Sequence, residues 1–237
     1  MLFRFGEIMD DDYTNIVLSV GGSCINPDGL PDVKFVTDLA NLLEKSPHNF
    51  GILTGGGKAA RVYAEAARKL GASEFDADEV AILSTRQNAM LLLNAVKKIA
   101  YPVILHDFTE ARKAATLSRV VIMGGTIPGI TTDTDAALFA EAIGAHRLVN
   151  ISNVSGIYDS DPNKNPKAKK YDRMYFDELV SLASEADKRK AGTNFVFDVL
   201  ACKLVARSKI ETHFISKDME EIKKAINGRK HSGTVVT

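Results

Sequence analysis

The sequence predicts an α/β fold built on a mostly parallel sheet covered on both faces. Three observations carry this: short apolar runs of strand length alternate with segments of helical period, three of those runs end in paired glycines, and no repeat or low-complexity linker breaks the alternation. With 237 residues and 45% hydrophobic content the chain can bury a full core, as one large α/β domain or two small lobes weakly divided near Gly144 to Asn150. The 30 basic and 30 acidic residues cancel. No global field therefore draws the chain to nucleic acid or to a membrane surface, and its expected partners are ligands of a local site. Cys24 and Cys202 lie far apart without ligand spacing, which argues against a disulfide framework or a zinc site and for a reducing, cytoplasmic setting. Met1 to Thr14 carries Glu7, Asp10, Asp11 and Asp12 where a signal peptide would carry positive charge and then an apolar core. It reads as an N-terminal extension, and no later apolar run reaches membrane-spanning length.

Ile16, Val17, Leu18 and Val20 make the first expected strand, Asn15 to Val20, which ends at Gly21-Gly22-Ser23; Pro27, Asp28, Gly29 and Pro31 mark a loop. Val33, Val36, Leu39, Ala40 and Leu43 recur three and four apart and predict a helix over Val33 to Leu43. The next strand, Phe50 to Thr54, runs into Gly55-Gly56-Gly57 and a helix from Lys58 to Leu70. Its expected inward stripe is Val62, Ala66 and Leu70, with Glu65 and Lys69 an exposed pair. Asp76 to Ala100 reads as a longer helix in which Met90, Leu91, Leu92, Leu93 and Val96 span more than one stripe, suggesting cover on two sides and a subunit contact. Pro102 to Leu105 is an expected strand, Thr109 to Leu117 a helix, and Arg119 to Met123 a strand reaching Gly124-Gly125. Ala136 to Ile143 follows as a helix whose start is crowded by Thr131, Thr132 and Asp133. Leu148 to Ile151 is the next buried strand, and Asn153 to Lys170 reads as loop, a lid or a nucleotide edge. The remainder reads as helices over Phe176 to Ala186 and Phe195 to Ala206, a strand over Glu211 to Ile215, a helix over Met219 to Ile226 and a last strand from Gly233 to Val236.

A strand that runs into three glycines and then a helix lets a ligand approach the backbone closely and meets it with the N–H groups of a helix start, the geometry that handles phosphate. Glycines in that place also serve a bare turn. Two further turns, Gly21-Gly22 and Gly124-Gly125, point to one phosphate-lined crevice. Familiar alternatives fail. A P-loop needs glycine, four residues, then Gly-Lys-Ser/Thr, whereas Gly57-Lys58 is followed by Ala59 and the first glycine's place holds Ile52. The dinucleotide fingerprint fails because Gly21-Gly22 continues as Ser-Cys-Ile-Asn. His48, His106, His146, His213 and His231 are scattered without metal spacing, and no Gly-x-Ser-x-Gly elbow or activated cysteine supports nucleophilic hydrolysis.

In chain order, Val20-Gly21-Gly22-Ser23, Thr54-Gly55-Gly56-Gly57-Lys58-Ala59-Ala60-Arg61, Thr85-Arg86-Gln87-Asn88-Ala89-Met90, Met123-Gly124-Gly125-Thr126, Pro128-Gly129, Thr131-Thr132-Asp133, Asn153-Val154-Ser155-Gly156-Ile157-Tyr158 and Asp161-Pro162 resemble the motifs of amino-acid-kinase-fold proteins. From about Asn15 to the end, the set resembles the archaeal-type uridylate (UMP) kinases. The resemblance implies a three-layer αβα sandwich, with an acceptor-side half over about 15–150 and an ATP-side half over about 151–237. It also implies a hexamer and transfer of the γ-phosphate of Mg-ATP to UMP. By motif, Gly21, Gly22, Gly57 and Arg61 would meet ATP, and Ser152, Tyr158 and Asp161 would hold its adenosine side. Gly56, Asp78 and the loop Ile127, Pro128, Gly129, Ile130, Thr131, Thr132 and Asp133 would meet UMP.

The implied chemistry is bare of bases. A phosphate-monoester acceptor is mostly ionised near neutral pH, so attack on the γ-phosphorus needs alignment and positive charge rather than a protein base. Glycine-turn N–H groups, magnesium, Arg61 or Lys58, and a lysine of the second half would supply that charge. Lys190 is the implied lysine and Asp198 the acid that positions it, although Lys188-Arg189-Lys190 also reads as a solvated run. Asp78 reads as a helix-start acid or a ribose acceptor, and Arg86 as an interface anchor or a nucleotide contact. Three positions depart from the pattern: Ser19 stands where many relatives carry a first-strand lysine, Ile130 replaces a histidine, and Ser155 replaces an acid. Two other readings remain. One is another small-phosphate kinase of this fold, isopentenyl phosphate kinase, which usually places a histidine just after its glycine triplet, where Lys58-Ala59-Ala60-Arg61 stands here. The other, motivated by Ser19, is a non-catalytic nucleotide-binding regulatory or storage assembly.

Overall fold

The computed structural model describes residues 14–162, 164–188 and 197–237. Among them, β1 (Asn15–Val20), β2 (Asn49–Thr54), β3 (Val120–Met123), β4 (Arg147–Ser152), β5 (Arg173–Met174), β6 (Glu211–Ser216) and β7 (Thr234–Val236) form one sheet in the order β3-β2-β1-β4-β6-β7-β5. Side-chain alternation along each strand divides the core in two. Ile16, Leu18 and Val20 of β1, with Ile52, Ile122 and Val149, meet α1 (Gly22–Ile25), α2 (Val33–Lys45), α4 (Glu74–Val96) and α9 (Met219–Ile226). On the opposite face Val17, Leu53, Val121, Leu148 and Phe214 meet α5 (Phe108–Ala114), α6 (Thr132–Ala142), α7 (Phe176–Lys188) and α8 (Val199–Ser208). The result is the expected three-layer αβα sandwich. Gly51 on β2 belongs to this packing: a Cβ there would lie 2.8 Å from the ring of Phe139, so its absence lets α6 seat on the sheet.

Pairing is parallel for β1 with β2 and β4, for β2 with β3 and for β4 with β6; β6 and β7 run antiparallel. Five strands therefore end at the same edge. The chain builds outward from β1 to β2 to β3, then returns to the other side of β1 for β4. Strand order reverses between β1 and β4, the place where open α/β sheets leave a crevice.

Several local expectations are corrected. The inward stripe expected for α3 (Gly57–Lys69) is wrong: Val62 and Leu70 are exposed, and the buried residues are Ala60 and Ala64. This helix lies on α4 rather than on the sheet, so two small residues suffice for its contact; the expected Glu65–Lys69 pair does form, at 3.6 Å. Pro102 to Leu105 is not a strand. Only the isolated bridges Ala100–Val120 and Leu105–Met123 form, and Pro102 has no N–H to extend them. Met90 and Leu91 of α4 are exposed while Leu92, Leu93 and Val96 enter the core. The short α1 and β5 were not expected. Of the helix expected over Phe195 to Ala206, Phe195 lies outside the described residues; among those described the helix begins at Val199, because Asp198 caps it by accepting from the N–H groups of Leu200 and Ala201.

At the antiparallel edge a polar chain crosses the sheet. Gly233 N–H donates to His231 Nδ1 at 3.0 Å, which leaves the His231 proton on Nε2, facing His213 Nδ1 at 2.6 Å. His213 Nε2 then donates to Glu211 Oε1 at 2.8 Å, which also accepts from Arg147 Nε at 2.6 Å. His213 and Arg147 hold the Glu211 carboxyl down at about 2, and burial beside His213 lowers His231 to about 4.

Candidate functional site

The three glycine turns follow β1, β2 and β3, so parallel pairing alone brings them to one sheet edge. The first two are pressed together. A Cβ on Gly22 would lie 2.0 Å from Gly57 N, and one on Gly57, whose φ is +67°, would lie 2.1 Å from Asn26 Oδ1. These glycines thus serve turn-to-turn packing as well as any ligand. α3 opens at Gly56 with no side-chain cap, so its start is not closed by its own side chain.

Asn26 and Asn88, both buried, hold this junction. Asn26 Nδ2 donates to Gly56 O at 3.2 Å and to Asn88 Oδ1 at 3.0 Å; Asn26 Oδ1 accepts from Lys58 N at 3.1 Å; Asn88 Nδ2 donates to Gly55 O at 2.7 Å. The third turn is strapped to the same stretch of α4: Gly125 N donates to Thr85 Oγ1 at 2.7 Å, and Arg86 donates to the carbonyls of Gly125 and Thr126. Arg86 therefore anchors a loop within its own chain.

The loop from Thr126 to Asp133 is fixed at each end. Asp135, pushed up to about 6 by burial, accepts from the N–H and hydroxyl of Thr126. Gly129 N donates to Asp78 Oδ2 at 2.9 Å, which ties the loop to the start of α4. Thr131 caps α6, and the hydroxyls of Thr131 and Thr134 both donate to the Asp198 carboxylate. Asp133 Oδ1 accepts from Asn150 Nδ2 at 2.9 Å and from Ser19 Oγ at 3.3 Å. Burial, with the charge of Asp198 nearby, raises the Asp133 carboxyl to about 7.

The structure thus gathers Gly21, Gly22, Gly56, Gly57, Ser19, Asp133 and Asp198 around the ends of β1, β2 and β4, with Asp78 and Gly129 joined to each other. Ser152 ends β4 beside Gly21, and its hydroxyl accepts from Val154 N–H at 3.1 Å. Tyr158 OH pairs with Ser155 Oγ at 2.9 Å and its backbone bridges to Lys170, which brings the two ends of the segment from Tyr158 to Lys170 together. Asp161 lies within that segment and faces Lys164 at 3.7 Å. Ile127 is exposed, as is Arg61 on the second turn of α3, where no described residue is shown holding its guanidinium. Lys190 lies outside the described residues. The sequence reading missed Asn26, Asp135 and Asn150, and quoted Thr85 only as part of a motif, without a role. Asn26 precedes Pro27 and looks like ordinary loop, and no local pattern signals that its amide is buried.

The family model described as the amino acid kinase family matches residues 15–216. A uridylate kinase of Thermococcus onnurineus is 46% identical over 224 residues, covering 93% of this chain and 98% of that protein. One of Archaeoglobus fulgidus is 43% identical over 221 residues, covering 93% and 99%. In structure, the chain is similar to a uridylate kinase of Archaeoglobus fulgidus with a TM-score of 0.82 at 42% identity, covering 94% of this chain and 99% of that one. It shares its fold with a UMP kinase of Ureaplasma parvum, with a TM-score of 0.76 at 24% identity over 94% and 98% of the two chains.

Proposed function

This chain belongs to the amino acid kinase family, and on that premise we propose that it is a uridylate kinase, which moves the γ-phosphate of Mg-ATP to UMP and releases UDP and ADP. The observation that carries the reading is the convergence of the glycine turns beside the β1–β4 strand reversal, within a likeness that spans nearly the whole chain. Magnesium enters as part of the Mg-ATP substrate.

The acceptor phosphate brings its own anionic oxygen, so the protein's work is alignment and charge. Gly56, Asp78 and the loop from Ile127 to Asp133 form the UMP side; the link from Gly129 N to Asp78 sets that loop against α4. Gly21, Gly22 and Gly57 bring backbone close to the ATP phosphates, and Ser152, Tyr158 and Asp161 belong to the adenosine side. Lys58 and Arg61, both exposed at the start of α3, supply positive charge to crowding oxygens. Among the described residues Asp133 is held by the neutral donors Ser19 and Asn150, and with Asp198 nearby the two carboxyls make a pocket that a cation would complete. By motif, Lys190, shortly before Asp198 in the chain and outside the described residues, is the lysine we propose for the transition state.

Exposed Leu83, Met90 and Leu91 on α4, with Val62 and Tyr63 on α3, support subunit contact through this face in a hexamer. No helix among the described residues is long and apolar enough to cross a membrane. Cys24 and Cys202 are buried free thiols, which supports the proposal of a reducing, cytoplasmic setting for a role in pyrimidine nucleotide synthesis.

A coupled assay of purified protein with Mg-ATP and UMP, CMP, dUMP, AMP or isopentenyl phosphate tests the proposal. UDP and ADP form from UMP, with little turnover of AMP. A protein inert toward every pyrimidine monophosphate sinks it, and binding of ATP and UMP by calorimetry without turnover would favour a non-catalytic assembly.

A further inference from the structure

We infer that the buried Asn26–Asn88 amide pair is a positioning element of the phosphoryl transfer, setting the distance between donor and acceptor phosphates without touching either. The inference rests on the kinase reading above. Its ground is the ownership of the bonds. Asn26 follows the first glycine turn, and its side chain reaches the second, accepting from Lys58 N and donating to Gly56 O; Asn88 comes from α4 and reaches Gly55 O. Gly22 and Gly57 belong to the donor side and Gly56 to the acceptor side, so one amide spans the boundary between the two.

The pair is also saturated in one sense only. Asn26 Oδ1 must face Lys58 N, because its Nδ2 faces two acceptors, Gly56 O and Asn88 Oδ1. Asn88 must then turn its Nδ2 to Gly55 O. Neither amide can flip without setting acceptor against acceptor, so the turn has a single arrangement rather than two. Both side chains are almost wholly buried, so water does not compete for these bonds. Thr85 and Arg86, on the same stretch of α4, hold the third turn. A short run of α4 therefore mounts all three glycine turns, the first of them through Asn26.

Reacting atoms held even about an ångström out of line lose rate steeply while ground-state binding changes little. Asn26→Ala is therefore expected to lower kcat at least tenfold, with KM for ATP and for UMP each within about threefold of the parent, measured well below the melting temperature of the variant. Two further variants separate position from stability. Asn26→Asp keeps the shape and the acceptor for Lys58 N but loses the donor to Gly56 and Asn88, and is expected to lower kcat comparably. Asn26→Val with Asn88→Leu fills the space with apolar side chains and leaves no buried amide unpaired, while Lys58 N, Gly56 O and Gly55 O lose their partners, so kcat is expected to stay low where this variant folds. Without substrates, hydrogen exchange at the Lys58 amide is expected to quicken in Asn26→Ala. If kcat of the folded double variant, or of Asn26→Asp where the double variant does not fold, lies within twofold of the parent, the pair is structural only and the inference is overturned. Unchanged exchange at Lys58 in Asn26→Ala overturns it as well. Failure of the kinase reading would show separately, as a parent protein that does not turn over UMP.

Discussion

Ser19 Oγ donates to Asp133 Oδ1 across 3.3 Å, joining the end of β1 to the first turn of α6 beside the reversal of strand order. Where many relatives are expected to place a lysine, this chain meets the carboxyl with a hydroxyl, and a neutral partner leaves the burial cost of the charge largely uncompensated.

The Asp133 carboxyl is raised from 3.8 to about 7, so the folded state holds a proton that the unfolded state has lost. The associated stability is fully present below about 3.8 and disappears as pH rises through about 7. Asp133→Asn is expected to raise the melting temperature by a few degrees at pH 8, on the order of 1 kcal/mol, and to leave it little changed at pH 4, as read by thermal scans. The same change is expected to lower kcat at least tenfold, since it abolishes the charge that orders a cation.

Glycine substitutions separate packing from backbone strain. Gly22→Ala sets a Cβ 2.0 Å from Gly57 N, backbone against backbone, and is expected to cost more than about 3 kcal/mol or to prevent folding. Gly129→Ala, at φ +87° with nothing within 4 Å of the new Cβ, meets only the left-handed penalty of about 1–2 kcal/mol. Urea unfolding of both variants checks the contrast.

Arg61 is exposed, so Arg61→Ala is expected to change stability by less than about 0.5 kcal/mol. Its kcat/KM for ATP is expected to fall tenfold or more, because a charge-assisted contact to phosphate disappears. Steady-state kinetics beside a melting curve test both halves of the statement.

Acid should loosen the antiparallel edge. His231 is lowered from 6.5 to about 4, so the stability it contributes is present above 6.5 and is lost as pH falls through about 4; Glu211, lowered from 4.5 to about 2, continues the loss at lower pH. His213 and His231 face each other, and facing them are Glu211 with its partner Arg147 and the Gly233 N–H, with Lys170, Glu221 and Lys224 also acting on His231. His231→Asn is expected to flatten the slope of stability between pH 6.5 and 4 in denaturant titrations, because the imidazole at position 231 is no longer there to be protonated.

Read by itself, the sequence determined most of the strand and helix alternation, the three glycine turns and the kinase family, because apolar period, paired glycines and motif order are properties of neighbouring residues. It did not determine which side of α3 is buried. That depended on α3 resting on α4, whose contact Ala60 and Ala64 satisfy while Val62 faces out. Nor did it reveal that Asn26 reaches Gly56 and Asn88 across the fold, or that Ser19 meets Asp133. Only the tertiary structure decided these, since a hydrogen bond between residues far apart in the chain leaves no local periodicity and exists only once the sheet has brought separate turns to one edge.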